Sequence, residues 1–138
     1  FAADTDTPEL SGETHAYAGQ GSYEGERYRV NGGFTEVGPD FNPQVGFYSR
    51  RGYRRVDGGF RTRFRPQNSF GFLELDPHIS HYTIFNFLTG QQETQYTHID
   101  NSFTLVDGSR VATSVNFTKE GVLESFEVKF STIPKTEL

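Results

Sequence analysis

The sequence contains neither cysteine nor methionine among its 138 residues. The absence of cysteine excludes a disulfide framework and a thiolate metal site. The absence of methionine, even at position 1, indicates that the chain has lost its natural start by processing or is a piece of a longer protein. The longest apolar stretch, Tyr82 to Leu88, is interrupted by Thr83 and Asn86, whereas a membrane helix needs roughly 20 apolar residues. A helical span is therefore excluded, but a strand of a membrane barrel needs only about 10 alternating residues.

The composition is poor in apolar residues but rich in aromatic ones. Apolar residues make up 33% of the chain and aromatic residues 15%, with 14 Phe and 7 Tyr. This combination is typical of a sheet whose two faces meet different surroundings, large apolar side chains on one face and polar side chains on the other. The net charge of −5 argues against a nucleic-acid partner, because nucleic-acid binders are usually basic overall.

Alternating apolar and polar residues predict an all-β protein, and no segment has the spacing of an amphipathic helix. We expect an antiparallel up-and-down meander of about seven or eight strands that forms a β-barrel or is part of one. Asp107-Gly108 is the strongest hairpin signal, and Pro77 is expected to begin a turn. The predicted strands cover about residues 15–23, 26–37, 53–65, 70–75, 79–88, 91–106, 110–117 and 126–130.

The length is that of a single domain. Residues 1–13 are acidic, small and turn-rich, which predicts a flexible N-terminal linker. Residues 14–134 are expected to form the antiparallel, barrel-like domain, and residues 135–138 a short tail.

Arginines are concentrated between residues 50 and 65, and three of them alternate with Phe60, Thr62 and Phe64. These three arginines therefore share one face of the predicted strand. An arginine facing lipid at mid-membrane costs about 2–4 kcal/mol, so in a membrane barrel they would face the lumen and need carboxylate partners. The ladder would be either a salt-bridge network or the lining of a pore that attracts anions or sugars. Its members are Arg61, Arg63 and Arg65, and the candidate partners are Glu74, Glu93, Asp100 and Glu127.

A loop rich in proline, glycine and aromatic residues separates the second and third predicted strands. We expect it to be ordered, with Phe41 and Phe47 packed against the sheet and Asp40 or Asn42 bonded to backbone donors or to a nearby arginine. Its predicted structural residues are Asp40, Phe41, Asn42, Pro43, Val45, Gly46, Phe47, Arg50, Arg51, Arg54 and Arg55.

This loop, VGPDFNPQVGFYSRRGYRR at residues 37–55, resembles a signature of certain bacterial proteins. They join a family 9 carbohydrate-binding-like module to a C-terminal domain of unknown function expected to be an outer-membrane β-barrel. Residues 73–134 are also similar to the strands that follow the signature, so the resemblance covers about residues 12–134. The carbohydrate-binding-like module is missing and the family's barrel is several times longer, which implies that the chain is a fragment.

The resemblance implies a location and an architecture but no catalytic motif. It points to a non-enzymatic segment of a bacterial outer-membrane barrel, in contact with lipid and with the rest of the barrel or other subunits, and with a transport or anchoring role linked to glycans. The alternatives are a soluble small β-barrel that binds an apolar ligand, in the periplasm or outside the cell, and a fragment of a carbohydrate-active enzyme.

The other histidines and carboxylates are not spaced as a metal site or a catalytic site requires. His78 and His81 lie three apart, so in a strand they point to opposite faces, and His98 is distant in sequence. Glu74 and Asp76 lie two apart on one strand, whereas a glycosidase pair faces across a cleft about 5–9.5 Å wide. No nucleophile elbow, phosphate loop or zinc-protease motif is present. We therefore predict no catalytic residue, no metal ligand and no cofactor.

Overall fold

The computed structural model describes residues 1–6, 12–43, 50–66, 71–122, 126–128 and 131–133, the last two ranges by their backbone alone. Seven strands form one sheet in chain order, each antiparallel to the next. The predicted all-β, up-and-down antiparallel architecture is confirmed. The strands of this sheet are β1 (Ala2–Asp4), β2 (His15–Glu24), β3 (Tyr28–Val37), β4 (Tyr53–Thr62), β5 (Phe72–Asn86), β6 (Gln92–Leu105) and β7 (Arg110–Glu120). Within these ranges no helix is long and apolar enough to cross a membrane.

The sheet is open. Among the described residues β1 and β7 each have one neighbouring strand, so both are edges. The described strands do not close into a barrel by themselves, and the other expected arrangement, in which the chain is part of a barrel, stays a prediction. The two edges differ in length, since β1 has 3 residues and β7 has 11, so pairing them would leave most of β7 without a partner.

The second half of the sheet is built on one long strand where two were predicted. Strand β5 runs for 15 residues through Pro77, which pairs with Asn101 of β6. The turn expected at Pro77 is wrong. On the other side of β5, the pairing with β4 ends at Arg61 and His78, so Pro77 occupies an edge position there, where a missing N–H is tolerated.

Three other segments differ from the predicted pattern. Ala2–Asp4, within the predicted linker, forms edge strand β1 against residues 15–17. Strand β4 ends at Thr62, and Phe64 makes only an isolated bridge to Leu75. At the C-terminal end, β8 (Phe126–Val128) and β9 (Ser131–Ile133) pair with each other as a separate two-stranded sheet, where a single strand over residues 126–130 was expected.

The register gives the sheet two unlike faces. On one, which we call the apolar face, aligned apolar side chains cross six strands. The residues next to these in each strand point to the opposite face, which we call the polar face, and there charged and polar side chains cross the same six strands. The apolar row is Tyr23, Val30, Phe60, Ile79, Ile99 and Val115, and the polar row is Glu24, Arg29, Arg61, His78, Asp100 and Ser114.

The buried apolar core is very small. Among the described residues whose side chains are defined, only Ala16, Val37 and Phe41 are both apolar and buried, with Ala3 and Tyr53 packed around them. Ala16, Val37 and Tyr53 are aligned across β2, β3 and β4 on the polar face. Phe41 therefore covers one end of that face.

Candidate functional site

Arg61 is held by the most deeply buried carboxylate in the described part of the chain. Its Nε donates to Asp76 Oδ1 at 2.7 Å, and its Nη2 donates to Asp76 Oδ2. Asp76 exposes 7% of its surface. The Arg61 hydrogen bonds lower the pKa of Asp76 from its ordinary value, against the opposing effect of desolvation. The same contacts raise the pKa of Arg61.

The other two ladder arginines share one carboxylate. Arg65 Nε donates to Glu74 Oε2 at 2.7 Å, and Arg63 Nε lies 3.4 Å from Glu74 Oε1. Glu74 was among the expected partners, whereas Asp76 was not. The contact of Asp76 with Arg61 was missed because it depends on the register between β4 and β5.

The remaining expected partners bind elsewhere. Glu93 accepts a hydrogen bond from Arg50 Nη2 and another from Asn86 Nδ2 at 3.0 Å. Asp100 contacts His78. The side chain of Glu127 lies outside the described residues.

The described arginines of the arginine-rich segment are consistently paired, and three of their guanidinium groups, those of Arg50, Arg54 and Arg55, also lie over aromatic rings. Arg54 Nε donates to Glu36 Oε2 at 2.5 Å and its guanidinium lies 4.5 Å from the Phe87 ring centroid. Arg55 Nε donates to Asp57 Oδ1 at 3.1 Å and its guanidinium lies 4.6 Å from the Tyr82 ring centroid. These pairs favour the salt-bridge network over a free, anion-attracting lining.

One ion pair is on the apolar face, at its edge. Glu36 is aligned with Arg54 and Tyr17, and His15 Nε2 lies 2.9 Å from Glu36 Oε1. The hydrogen bond from Arg54, which has the largest effect, and the one from His15 lower the pKa of Glu36. The His15 ring stacks on Tyr17 with centroids 4.6 Å apart. Charge and aromatic rings thus mark this end of the apolar face.

The described part of the predicted loop is held by one buried ring and by hydrogen bonds. Phe41 is buried, the Asn42 amide N–H donates to Thr5 Oγ1 at 3.1 Å, and Arg51 Nη2 donates to Asn42 Oδ1 at 3.2 Å. The Asp40 amide N–H donates to the Glu13 carbonyl at 3.2 Å. Pro39 and Asp40 form a turn. Pro43 is half-buried, and Val45, Gly46 and Phe47 lie outside the described residues.

The histidines separate as the strand geometry predicts. His78 is on the polar face opposite Asp100, while His81 is on the apolar face, where its ring nitrogens bond Thr97 Oγ1 and Thr83 Oγ1 at 2.8 and 3.0 Å. His98, distant in sequence, lies beside His78 with ring centroids 5.0 Å apart. Sequence reasoning missed this pair because it depends on the β5–β6 register.

The described geometry contains a two-faced sheet and a network of ion pairs. Comparisons of the chain with protein-family models, with curated proteins and with solved structures find no match. The resemblance to the carbohydrate-binding-module proteins therefore stays an expectation.

Proposed function

We propose that the chain is a non-enzymatic segment of a bacterial outer-membrane β-barrel, with its apolar face toward lipid and its polar face toward the lumen. The open sheet would continue into further strands of the same barrel or of another subunit, since a paired edge removes the unsatisfied backbone groups of β7. The intact protein would act in anchoring, or in transport of a glycan-related or other solute.

The distribution of exposure carries this proposal. The six side chains of the apolar row each expose between 40% and 58% of their surface. On the opposite face the carboxylate of Asp76 is buried and Glu74 is largely shielded. A protein in water buries most of its large apolar side chains, whereas a membrane barrel turns an apolar band outward and polar groups inward.

Strand length and the ends of the apolar face support the same conclusion. Strands β2, β3 and β4 have 10 residues each, and a tilted strand that crosses a membrane needs about 9–11. Tyr23 and Tyr28 contact each other at one end of these strands, with ring centroids 5.6 Å apart. Tyr17 and His15 are at the other end. Aromatic girdles at both interfaces are typical of membrane barrels.

A soluble small barrel with an apolar ligand inside is the second candidate, because the apolar face would suit such a cavity. It requires the polar face to be the outer surface. The shielding of Asp76 and the packing of Phe41 over the end of the polar face favour the membrane arrangement.

Cysteine labelling distinguishes the two, because the chain has no cysteine of its own. Val115 and Ser114 are adjacent residues of β7 on opposite faces. We expect an environment-sensitive fluorophore on Val115→Cys to shift to the blue on addition of phospholipid vesicles and to be quenched by brominated lipid. The same label on Ser114→Cys should respond to neither.

The soluble alternative makes the opposite prediction. The protein would be monomeric without detergent, and the Val115→Cys label would be in an apolar environment before any lipid is added. That result, or equal quenching by brominated lipid at both positions, would contradict the membrane proposal.

A further inference from the structure

Two imidazoles and a carboxylate converge on the polar face, where β5 pairs with β6. His78 and Asp100 are directly opposite each other, and His98 precedes Asp100 by two residues on the same face. One ligand atom from each of the three lies within 4.8 Å of the others. His78 Nδ1 contacts Asp100 Oδ1, and His98 Nε2 lies 3.4 Å from Asp100 Oδ2.

The hydrogen bond on the far side of His98 fixes which of its nitrogens carries hydrogen. His98 Nδ1 lies 2.5 Å from Asn116 Oδ1, which also accepts from the Tyr96 hydroxyl at 2.8 Å. An amide oxygen only accepts, so Nδ1 of His98 is the donor and Nε2 of the neutral ring has a lone pair. An outer hydrogen bond of this kind is the usual partner of a metal-bound histidine.

This assignment leaves two electron-rich atoms facing each other. The lone pair of His98 Nε2 and the Asp100 carboxylate repel at 3.4 Å unless a cation lies between them. A metal ion bound by these two atoms and by His78 removes the repulsion.

We propose that His78 Nδ1, His98 Nε2 and the Asp100 carboxylate bind one divalent transition-metal ion of the Zn²⁺ class. Two imidazoles with one carboxylate suit Zn²⁺, whereas Ca²⁺ and Mg²⁺ prefer oxygen ligands alone. All three side chains are partly exposed, so the ion can enter and keep a position for water. The neighbouring Arg61 is neutralised by Asp76. The site needs only the β5–β6 pairing and does not rest on the membrane proposal.

Isothermal titration of the metal-free protein with ZnCl₂ tests the site. We expect one saturable site, and we expect His98→Gln and His78→Gln each to weaken the affinity more than tenfold. His81→Gln is the matched control, since His81 is on β5 only three residues from His78 but on the opposite face. It should leave stoichiometry and affinity unchanged.

The unmodified protein provides a second measurement that does not depend on whether the variants fold. Zn²⁺ should raise its unfolding temperature, and equal concentrations of Mg²⁺ should not. The absence of one-to-one Zn²⁺ binding, with a histidine titration showing His98 doubly protonated, would overturn the proposal in favour of a proton. Equal weakening by His81→Gln would overturn it in favour of non-specific binding.

Discussion

Asp76 illustrates how a single charged side chain is tolerated in this sheet. It is 7% exposed, and an isolated carboxylate in that position would lose most of its hydration. Two hydrogen bonds from Arg61 replace the lost water. The Arg61–Asp76 pair joins β4 to β5 where their pairing ends, next to the last aligned residues, Arg61 and His78.

The lowered pKa of Asp76 predicts an acid-sensitive contribution to stability. Its folded-state pKa lies below the ordinary value of 3.8, so the contribution is complete above that value and is lost as the pH falls through the lower folded value. We expect Asp76→Asn to reduce the free energy of unfolding by about 1 kcal/mol at pH 6, because Arg61 is half exposed, and by progressively less as the pH falls below 3.8. Chemical denaturation of both proteins across this pH range measures the difference.

The Arg61→Gln background provides the control for this prediction. Without the guanidinium, the acid-sensitive stabilisation that Asp76 provides relative to Asn should disappear, since the hydrogen bonds that lower its pKa are gone and desolvation, which raises the pKa, remains. If Asp76→Asn changes the free energy of unfolding by the same amount in that background, a group other than Arg61 stabilises the Asp76 carboxylate.

At the scale of the strands, the turn between β6 and β7 depends on a single glycine. Gly108 has φ of +86°, and a Cβ added there would meet no atom within 4 Å. Any cost of substitution therefore comes from the backbone alone. We expect Gly108→Val to lower the free energy of unfolding by about 1–2 kcal/mol, measured by urea denaturation in detergent.

Gly21→Val is the matched control for the turn. Gly21 also has open space around its Cβ position but lies inside β2 without a positive φ, where a β-branched residue is favourable. It should leave stability unchanged or raise it. Equal losses in the two variants would show that the conformation of Gly108 is not what holds this hairpin.

Local sequence signals predicted the β6–β7 hairpin and the separation of His78 from His81, because both depend on residues that are close together in the sequence. The length of β5 was not predictable in this way. Whether Pro77 ends a strand depends on where β4 stops pairing, which is a property of the neighbouring strand. The Arg61–Asp76 and His78–His98 contacts were missed for the same reason, since each requires the register between two strands.

At the scale of the whole molecule, the sheet exposes its apolar row while it shields the carboxylates of Asp76 and Glu74 on the opposite face. Ion pairs join neighbouring strands on both faces, Arg61 with Asp76 on the polar face and Arg54 with Glu36 at the edge of the apolar face. The apolar row has no comparable cover among the described residues. The free energy of burying that row must come from a surrounding medium, which in our proposal is the hydrocarbon of a bilayer.

A lysine placed on one face or the other tests that proposal for the molecule as a whole. Val30 and Asn31 are adjacent in β3 on opposite faces, and both are exposed. Val30→Lys puts a charge in the apolar row two residues from Tyr28, between the interface and the middle of the bilayer, where transfer into lipid should cost about 1–2 kcal/mol, so partition into vesicles should fall roughly 5- to 30-fold. Asn31→Lys adds the same charge to the polar face and should partition like the unmodified protein. Vesicle flotation measures both. If the two lysines reduce flotation equally, net charge rather than the apolar face governs association, and the face would need another partner.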